Sequence, residues 1–171
     1  MNNQKVLVAF FSRTGENYNV GHITKGNTHI IAEMIADETG GTLFQIEPVT
    51  PYPDNYNECI EIAKTEKNNH ARPAIKGDIA VEDYDIIYLG YPNWWGDMPM
   101  PVYTFIEKHK WAGKTVIPFC THEGSGLSGT ESKLKTACQG ATVARGLAIQ
   151  GKIAQQSRTQ ALKTVQAWLK K

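Results

Sequence analysis

The chain has 171 residues, of which 41% are hydrophobic and 20% are charged, and its formal net charge is +1. This length and composition suit one globular domain with a single core and exclude extended disorder. The balanced charge provides no electrostatic footprint for DNA or RNA, and three cysteines without paired spacing argue against a disulfide framework or a zinc site.

The first apolar run, Val6–Phe11, predicts a buried strand and also bears on where the protein resides. The run is too short for a membrane span or for the apolar part of a signal peptide, and it leads directly into a polar loop. We therefore expect a cytoplasmic protein with no membrane partner and no nucleic-acid partner.

Five apolar runs alternate with five segments of helical periodicity along the chain. The predicted strands are Lys5–Phe11, Thr42–Glu47, Ile86–Tyr91, Thr115–Cys120 and Thr142–Ile149. The predicted helix boundaries are Asn27 or Thr28 and Gly40-Gly41 for the first helix, and capping boxes at Ser128 with Glu131 and at Ser157 with Gln160 for the last two.

This order predicts an α/β fold in a single domain spanning residues 1–171, with a five-stranded parallel sheet covered by helices on both faces. Thr42–Glu47 and Thr142–Ile149 contain the most polar or small residues and suit the sheet edges, which gives the strand order 2-1-3-4-5. Pro118 lies in a predicted central strand, although proline lacks the N–H that such a strand needs. We expect either a bulge at Pro118 or a different strand order.

Three loops follow buried strands, and the carboxyl ends of neighbouring parallel strands bring such loops to one edge, where ligands bind. The first loop, Ser12-Arg13-Thr14-Gly15, is the first part of a hydroxyl-rich connection to a helix N-terminus. Backbone N–H groups and the helix dipole favour an anion there, so a phosphate site is predicted at Ser12, Thr14, Asn27 and Thr28. Arg13 is expected either to assist the phosphate or to be solvated. The alternative is an ordinary polar connection with a helix cap.

The second loop, Pro92-Asn93-Trp94-Trp95-Gly96, is the most specific segment of the chain. Two adjacent tryptophans in a loop bounded by proline and glycine cannot easily both face a core, whereas a flat heteroaromatic ring offers a stacking partner. Asn93 is predicted to hydrogen-bond that ring, and Gly96 to let a peptide turn toward it. The alternative is that one tryptophan fills the core and the other covers a helix.

The third loop is predicted to complete the site with Thr121, His122, Gly124, Ser125 and Gly126. Its glycines match the dinucleotide pattern G-x-G-x-x-G, but the next strand ends without the acidic residue that a dinucleotide site needs, so this interpretation is rejected.

The three loops resemble those of the flavodoxin family, in which the phosphate loop reads Ser/Thr-x-Thr-Gly-Asn-Thr. Here Glu16–Gly26 separates Ser12-Arg13-Thr14-Gly15 from Asn27-Thr28, and we expect the two halves to meet around one phosphate. The Tyr-Pro-Asn-Trp-Trp and Thr-His-Glu-Gly-Ser-Gly segments resemble loops of single-domain flavodoxin-like proteins. The resemblance covers nearly the whole chain and implies a flavodoxin-like three-layer sandwich that binds FMN non-covalently.

The resemblance also implies roles for residues around the flavin. The third loop would line the pyrimidine edge of the ring, where His122 either donates a hydrogen bond or has no role. The inserted residues Glu16, Asn17 and Tyr18 either cover the cofactor or form a flexible flap without contact to it.

The resemblance implies redox chemistry carried by FMN, with no catalytic acid, base or nucleophile and no metal. One predicted function is electron transfer with a redox partner protein. The alternative is an NAD(P)H-dependent enzyme that reduces quinones or a similar small-molecule electron acceptor, and a third reading is a cofactor-free binding module. The charge of +1 weakens the analogy with acidic electron carriers, and the sequence leaves the oligomeric state open.

Overall fold

The computed structural model describes residues 4–170, and most of its sheet strands are followed by a helix. The strands are β1 (Val6–Phe10), β2 (Gly15–Asn17), β3 (Gly21–Ile23), β4 (Thr42–Gln45), β5 (Ile86–Pro92), β6 (Thr115–His122), β7 (Thr142–Val143) and β8 (Leu147–Gln150). The helices are α1 (Asn27–Thr39), α2 (Tyr56–Asn68), α3 (Met100–Glu107), α4 (Thr130–Ala137), α5 (Gly151–Gln156) and α6 (Arg158–Leu169).

The main sheet is parallel throughout and has the order β4-β1-β5-β6-β7, with β8 also paired to β6. When β7 and β8 are counted as two halves of one strand, this is the predicted order 2-1-3-4-5, and the predicted α/β fold is confirmed. Val6 lies opposite Ile86, and Ile86 lies opposite Thr115, so the three central strands begin level with one another. Their loops therefore leave the sheet at the same edge.

Pro118 is accommodated by a break in the neighbouring strand. The single strand predicted over Thr142–Ile149 is wrong, because it is divided into β7, which pairs with Thr115 and Val116, and β8, which pairs from Phe119 onward. Pro118 faces the gap between them, where no ladder hydrogen bond is needed. A Cβ on Gly146, within the gap, would lie 2.8 Å from Pro118 Cγ, so a residue without a side chain is required there.

Helices cover both faces of the sheet, because alternate residues of each strand point to opposite sides. On one face, Val8 and Phe10 of β1 pack with the buried residues of α1, α5 and α6. On the other face, Leu7 and Ala9 pack with the buried residues of α3 and α4. In the part of the chain that the structure describes, no helix has both the length and the apolar character that crossing a bilayer requires.

The two predicted capping boxes do not form. Gly129, with φ of +76°, is the residue that precedes α4, and Ser128 Oγ donates to the carbonyl oxygen of Ser125 instead. The Glu131 carboxylate instead accepts a hydrogen bond from the Gly146 N–H at 2.8 Å, which satisfies a backbone donor in the gap between β7 and β8. Ser157 does precede α6, but its side chain makes no capping hydrogen bond.

Candidate functional site

A cleft of about 370 Å³ opens at the edge of the sheet where the three loops emerge. This volume is within the range of ~300–1,000 Å³ that is typical of small-molecule sites. The predicted site residues that line it are Arg13, Asn27, Pro92, Asn93, Trp94, Trp95, Gly96, Thr121, His122 and Ser125. The structure thus brings together members of all three loops. Ser12, Thr14, Thr28, Gly124 and Gly126 are outside this lining.

The first half of the divided loop contacts Gly26 and His29, the residues on either side of Asn27-Thr28. A Cβ at Gly26 would lie 2.0 Å from Ser12 Oγ and 2.6 Å from the carbonyl oxygen of Arg13, so only glycine fits between them. Ser12 Oγ accepts the backbone N–H of His29 at 3.1 Å in the first turn of α1. The prediction that Asn27 or Thr28 caps this helix is therefore wrong, because the capping oxygen comes from the preceding loop and Gly26 is the N-cap residue.

The first turn of α1 retains two unpaired donors. Within residues 4–170, the backbone N–H groups of Asn27 and Thr28 have no hydrogen-bond acceptor, whereas those of His29 and Ile30 are satisfied. α1 is thirteen residues long, so the positive end of its dipole reinforces these donors. The Thr28 hydroxyl is buried and lies 2.8 Å from the Thr121 hydroxyl, which ties the first loop to the third. An anion can bind at this point.

Arg13 has a different role from the two that the sequence suggested. Its side chain is buried rather than solvated, and its guanidinium donates to the carbonyl oxygens of Glu16, Pro53 and Asp54 at 2.7–3.1 Å. Because four of its five N–H donors bond to backbone carbonyl oxygens, we assign Arg13 to holding the loops on either side of the cleft rather than to binding a phosphate.

Thr14 lies on the far side of the first loop. Its side chain is exposed and faces a separate hollow beside Gln45, Glu47 and Lys76. The structure therefore gives Thr14 no contact with the cleft that Asn27 lines.

The inserted segment is an antiparallel hairpin, formed by β2 and β3, that reaches over the cleft. The Glu16 carboxylate accepts the backbone N–H of Tyr56 at 2.6 Å, and this attaches the base of the hairpin to α2. The Tyr18 and Tyr56 rings stack with centroids 6.0 Å apart. At the tip, Asn19 Nδ2 donates to Glu123 Oε2 at 3.4 Å, so the hairpin spans from α2 to the third loop.

The two tryptophans stand on a tight turn. Trp94 and Asp97 exchange backbone hydrogen bonds of 2.9 and 3.1 Å, and the intervening Trp95 and Gly96 both have positive φ, as in a type I′ turn. Tryptophan is an unusual residue at such a φ, and residues held in sparsely populated backbone regions cluster at functional sites. Trp95 remains 44% exposed, at the rim of the cleft.

Trp94 packs inward from the same turn. Its ring makes edge contacts with Phe11 and Tyr52 at centroid distances of 5.1 and 5.0 Å. Trp94 therefore anchors the turn to the core while still lining the cleft, and Trp95 is hydrogen-bonded to Ile60 of α2. These contacts match the alternative in which one tryptophan fills the core and the other covers a helix.

Both polar atoms of the Asn93 side chain are hydrogen-bonded within the protein. Its Oδ1 accepts the Gly96 N–H at 3.0 Å, and its Nδ2 donates to the Gly126 carbonyl and to Ser128 Oγ, both at 2.8 Å. Asn93 thus fixes the second loop to the third. Gly126, which does not line the cleft, acts through this contact.

His122 lines the cleft, and one of its ring nitrogens is bonded within the third loop. Its Nδ1 accepts the Gly124 N–H at 2.9 Å, so in the neutral ring the proton is on Nε2. Burial lowers the pKa of His122 below its ordinary value, although the neighbouring Glu123 carboxylate opposes this shift. The neutral ring is therefore a hydrogen-bond donor at Nε2.

Several lining residues are absent from the predicted set. They are Asn17, Tyr18, Tyr56, Cys59, Ile60, Ala63 and Glu123. The apolar spacing of α2 indicated a helix with a buried face, but nothing in that spacing shows that this face borders a cleft. The sequence indicates Asn17 and Tyr18 only as a cover or a flap, whereas in the structure Asn17 pairs with Gly21 and Tyr18 stacks on Tyr56 of α2.

The flavodoxin family model matches residues 5–170, so the chain belongs to the flavodoxin family. Among solved structures, the chain is 32% identical to a candidate flavoprotein from Bacteroides eggerthii, with a TM-score of 0.77 and coverage of 98% of this chain and 97% of that one. It is 31% identical to another from Bacteroides uniformis, with a TM-score of 0.79 and coverage of 99% and 100%.

A more distant structure shares the fold. The flavoprotein from Lactobacillus acidophilus, solved in complex with FMN, is 20% identical, with a TM-score of 0.67 and coverage of 94% of this chain and 99% of that one. The comparison with curated proteins finds no match.

Proposed function

We propose that this chain binds FMN non-covalently in the cleft and serves as an electron-transfer protein. The observation that carries the proposal is the pairing, in one cleft at the carboxyl edge of the sheet, of unpaired N–H donors at Asn27 and Thr28 with the strained turn of Trp94 and Trp95. Membership of the flavodoxin family and the FMN complex of a protein with the same fold support the choice of cofactor.

The first turn of α1 fits a phosphate. The N–H groups of Asn27 and Thr28 would hold it, and the buried contact between Thr28 and Thr121 fixes the direction of these donors. A phosphate at the start of a long helix also gains from the helix dipole. This is why we propose FMN rather than riboflavin, which lacks the charged group.

The rest of the cleft fits a flat ring. Trp94, Trp95 and Tyr56 line it together with the apolar residues Ile60 and Ala63 of α2. Aromatic side chains bury large area against such a ring and favour stacked or edge arrangements. His122 would donate from Nε2 to an acceptor at the ring's edge, and its lowered pKa keeps that nitrogen a neutral donor.

When bound, FMN supplies the redox chemistry, and the side chains around it supply binding, orientation and exclusion of water. Arg13 and Asn93 act by fixing the loops, since their polar atoms are used within the protein. The hairpin covers part of the cleft through the contacts of Tyr18 and Asn19.

The second candidate function is NAD(P)H-dependent reduction of quinones or other small molecules. It is favoured by the formal charge of +1, which departs from the acidic character of carrier flavodoxins. In this case the acceptor is a small molecule and not a partner protein. The cytoplasmic location remains a prediction in both cases.

The test is reconstitution with FMN followed by two assays. Purified protein is mixed with FMN and passed through a desalting column, and we expect flavin absorbance to elute with the protein in a 1:1 ratio. Protein that elutes without flavin and also leaves FMN fluorescence unchanged in a titration would exclude both candidate functions. Fast oxidation of NADPH with a quinone, with no separate reductase added, would replace the carrier proposal with the enzyme.

A further inference from the structure

Three lysine ammonium groups converge on the turn formed by Trp95 and Gly96. The ammonium of Lys67 donates to the carbonyl oxygen of Trp95, and that of Lys64 lies 5.3 Å from the centroid of the Trp95 ring. The ammonium of Lys133 approaches the Gly96 carbonyl oxygen at 3.4 Å from the opposite side. The turn at the rim of the cleft is therefore in contact with three ammonium groups.

Two of these charges are not balanced by a carboxylate. Lys133 pairs with the nearly buried Asp97 at 3.1 Å. Lys64 and Lys67 have no ion pair with any residue between 4 and 170; their contacts are with the Trp95 ring and carbonyl oxygen. Glu61 is exposed one helical turn before Lys64 in α2, but it does not come within ion-pair distance of either lysine. Within the described part of the chain, Lys64 and Lys67 therefore hold two ammonium groups against Trp95 without a carboxylate partner, on a helix that also carries Glu58, Glu61 and Glu66.

We propose that Trp95, Lys64 and Lys67 form a docking surface for the acidic face of a partner redox protein. This inference rests on the proposed FMN-dependent electron transfer and assigns the kind of partner to it. Charge on such a surface steers the encounter, while an exposed aromatic residue at its centre supplies the contact that holds the complex. Redox encounters use small interfaces, so a surface of a few residues is sufficient.

The exposure of Trp95 favours a protein over a small anion. Small ligands are mostly enclosed by the site that binds them. Trp95 is instead 44% exposed on a turn at the rim, and Lys64 is exposed beside it. A partner surface laid over the turn would cover the indole and bring carboxylates to both lysines, without entering the cleft.

The test measures electron transfer from the reduced FMN-loaded protein to two ferric cytochromes without oxygen. Cytochrome b5 presents carboxylates around its haem edge, and cytochrome c presents lysines. Each ferric haem accepts one electron and becomes ferrous, so two cytochromes accept the two electrons of a fully reduced flavin. The variant is Lys64→Gln with Lys67→Gln. The control is Lys163→Gln on α6 with Lys170→Gln at its C-terminal end, because α6 packs against the other face of the sheet. Rates are normalised to bound flavin.

With cytochrome b5, we expect the second-order rate constant of the native protein to fall about tenfold between low and high salt. The Lys64/Lys67 variant should lose about threefold to tenfold of the low-salt rate and most of the salt dependence, while the control stays within about twofold of the native protein. With cytochrome c, the variant should be as fast as the native protein or faster.

Two results would overturn the inference without touching the proposed function. The first is a variant that binds FMN and reduces cytochrome b5 with the native rate and salt dependence. The second is a variant with an unchanged cytochrome b5 rate and a KM for NADPH raised about tenfold, which would mean that the lysines bind a nucleotide phosphate. Failure of the native protein to bind FMN would overturn the proposed function and this inference together.

Discussion

The indole Nε1 of Trp95 donates a hydrogen bond to the carbonyl oxygen of Ile60 at 2.9 Å, so the exposed tryptophan of the turn is fixed to α2. Trp95 has φ of +57°, a backbone conformation that costs energy for a bulky residue. The bond to Ile60 restrains the ring despite its exposure. A side chain that is exposed and also held in place is suited to contact a ligand on one side and a partner on the other.

Trp95→Ala should weaken FMN binding by more than about 1 kcal/mol, or about fivefold in Kd, because an aromatic wall of the cleft is lost. The unfolding free energy should change little, since the ring is 44% exposed and the alanine still faces the unfavourable φ. Fluorescence titration of FMN measures the Kd. An unchanged Kd would remove Trp95 from the binding surface.

Trp94→Ala should affect the free energy of unfolding more than Trp95→Ala does. Trp94 packs against Phe11 and Tyr52, so its truncation should lower the free energy of unfolding by about 3 kcal/mol. Urea denaturation of the protein without FMN measures this loss. A loss below about 1 kcal/mol would show that the inward contacts of Trp94 contribute little to the fold.

Asn19→Asp should speed the release of FMN by placing a carboxylate against Glu123 at the tip of the hairpin. Aspartate tolerates the positive φ of residue 19 nearly as well as asparagine, so the backbone is not expected to change. Stopped-flow dilution, followed by flavin fluorescence, measures the dissociation rate.

The control for this prediction is a second substitution, Glu123→Gln, in the Asn19→Asp background. The amide introduced at position 123 can then donate to the carboxylate introduced at position 19. The dissociation rate of FMN should therefore fall back toward that of the native protein. If the double variant releases FMN as fast as Asn19→Asp alone, the contact between the hairpin and the third loop does not govern release.

Arg13→Lys should lower the free energy of unfolding by about 2 kcal/mol. A lysine cannot reproduce the planar fork that serves the carbonyl oxygens of Glu16, Pro53 and Asp54 at once. Urea denaturation measures the loss. Lys163→Arg, which exchanges the same two residue types at an exposed site on α6, is the control and should leave the free energy of unfolding unchanged. An unchanged free energy of unfolding would show that the fork of Arg13 is not needed to hold these loops.

Acid should remove a contribution of Glu82 to stability. Hydrogen bonds from the Lys110 N–H and from its own N–H lower the pKa of Glu82 from 4.5 to about 2, and His109 adds to this effect. Because the pKa is lower in the folded protein, the stabilisation is present above pH 4.5 and is lost as the pH falls toward 2. Glu82→Gln should therefore be less stable than the native protein at pH 7, and the difference should narrow on acidification. A difference that stays constant from pH 7 to about pH 2.5 would contradict this account.

The sheet and its site edge were predictable from the sequence because they depend on local signals. Buried strands read as continuous apolar runs, and the Trp94-Trp95 pair marks a loop whose side chains do not suit a core. The strand order followed from which runs were least apolar. The way in which Pro118 is accommodated was not predictable, because it depends on a gap in another strand, between Val143 and Leu147.

The internal roles of polar site residues were not predictable, because their partners are distant in sequence. Arg13 binds carbonyl oxygens about 40 residues away, and Asn93 binds residues more than 30 positions further on. A loop sequence shows that such side chains are near a site. It does not show whether their donors point to a ligand or to another loop, and here they point to other loops.

We propose that the cleft binds FMN through both its phosphate and its ring. A fluorescence titration of FMN and, separately, of riboflavin with the purified protein tests this. We predict quenching by FMN binding at a 1:1 ratio, with an affinity at least about tenfold higher for FMN than for riboflavin because only FMN offers an anion to the start of α1. FMN fluorescence that remains unquenched at protein concentrations above about 10⁻⁴ M, a Kd typical of weak binding, would show that the cleft does not bind FMN.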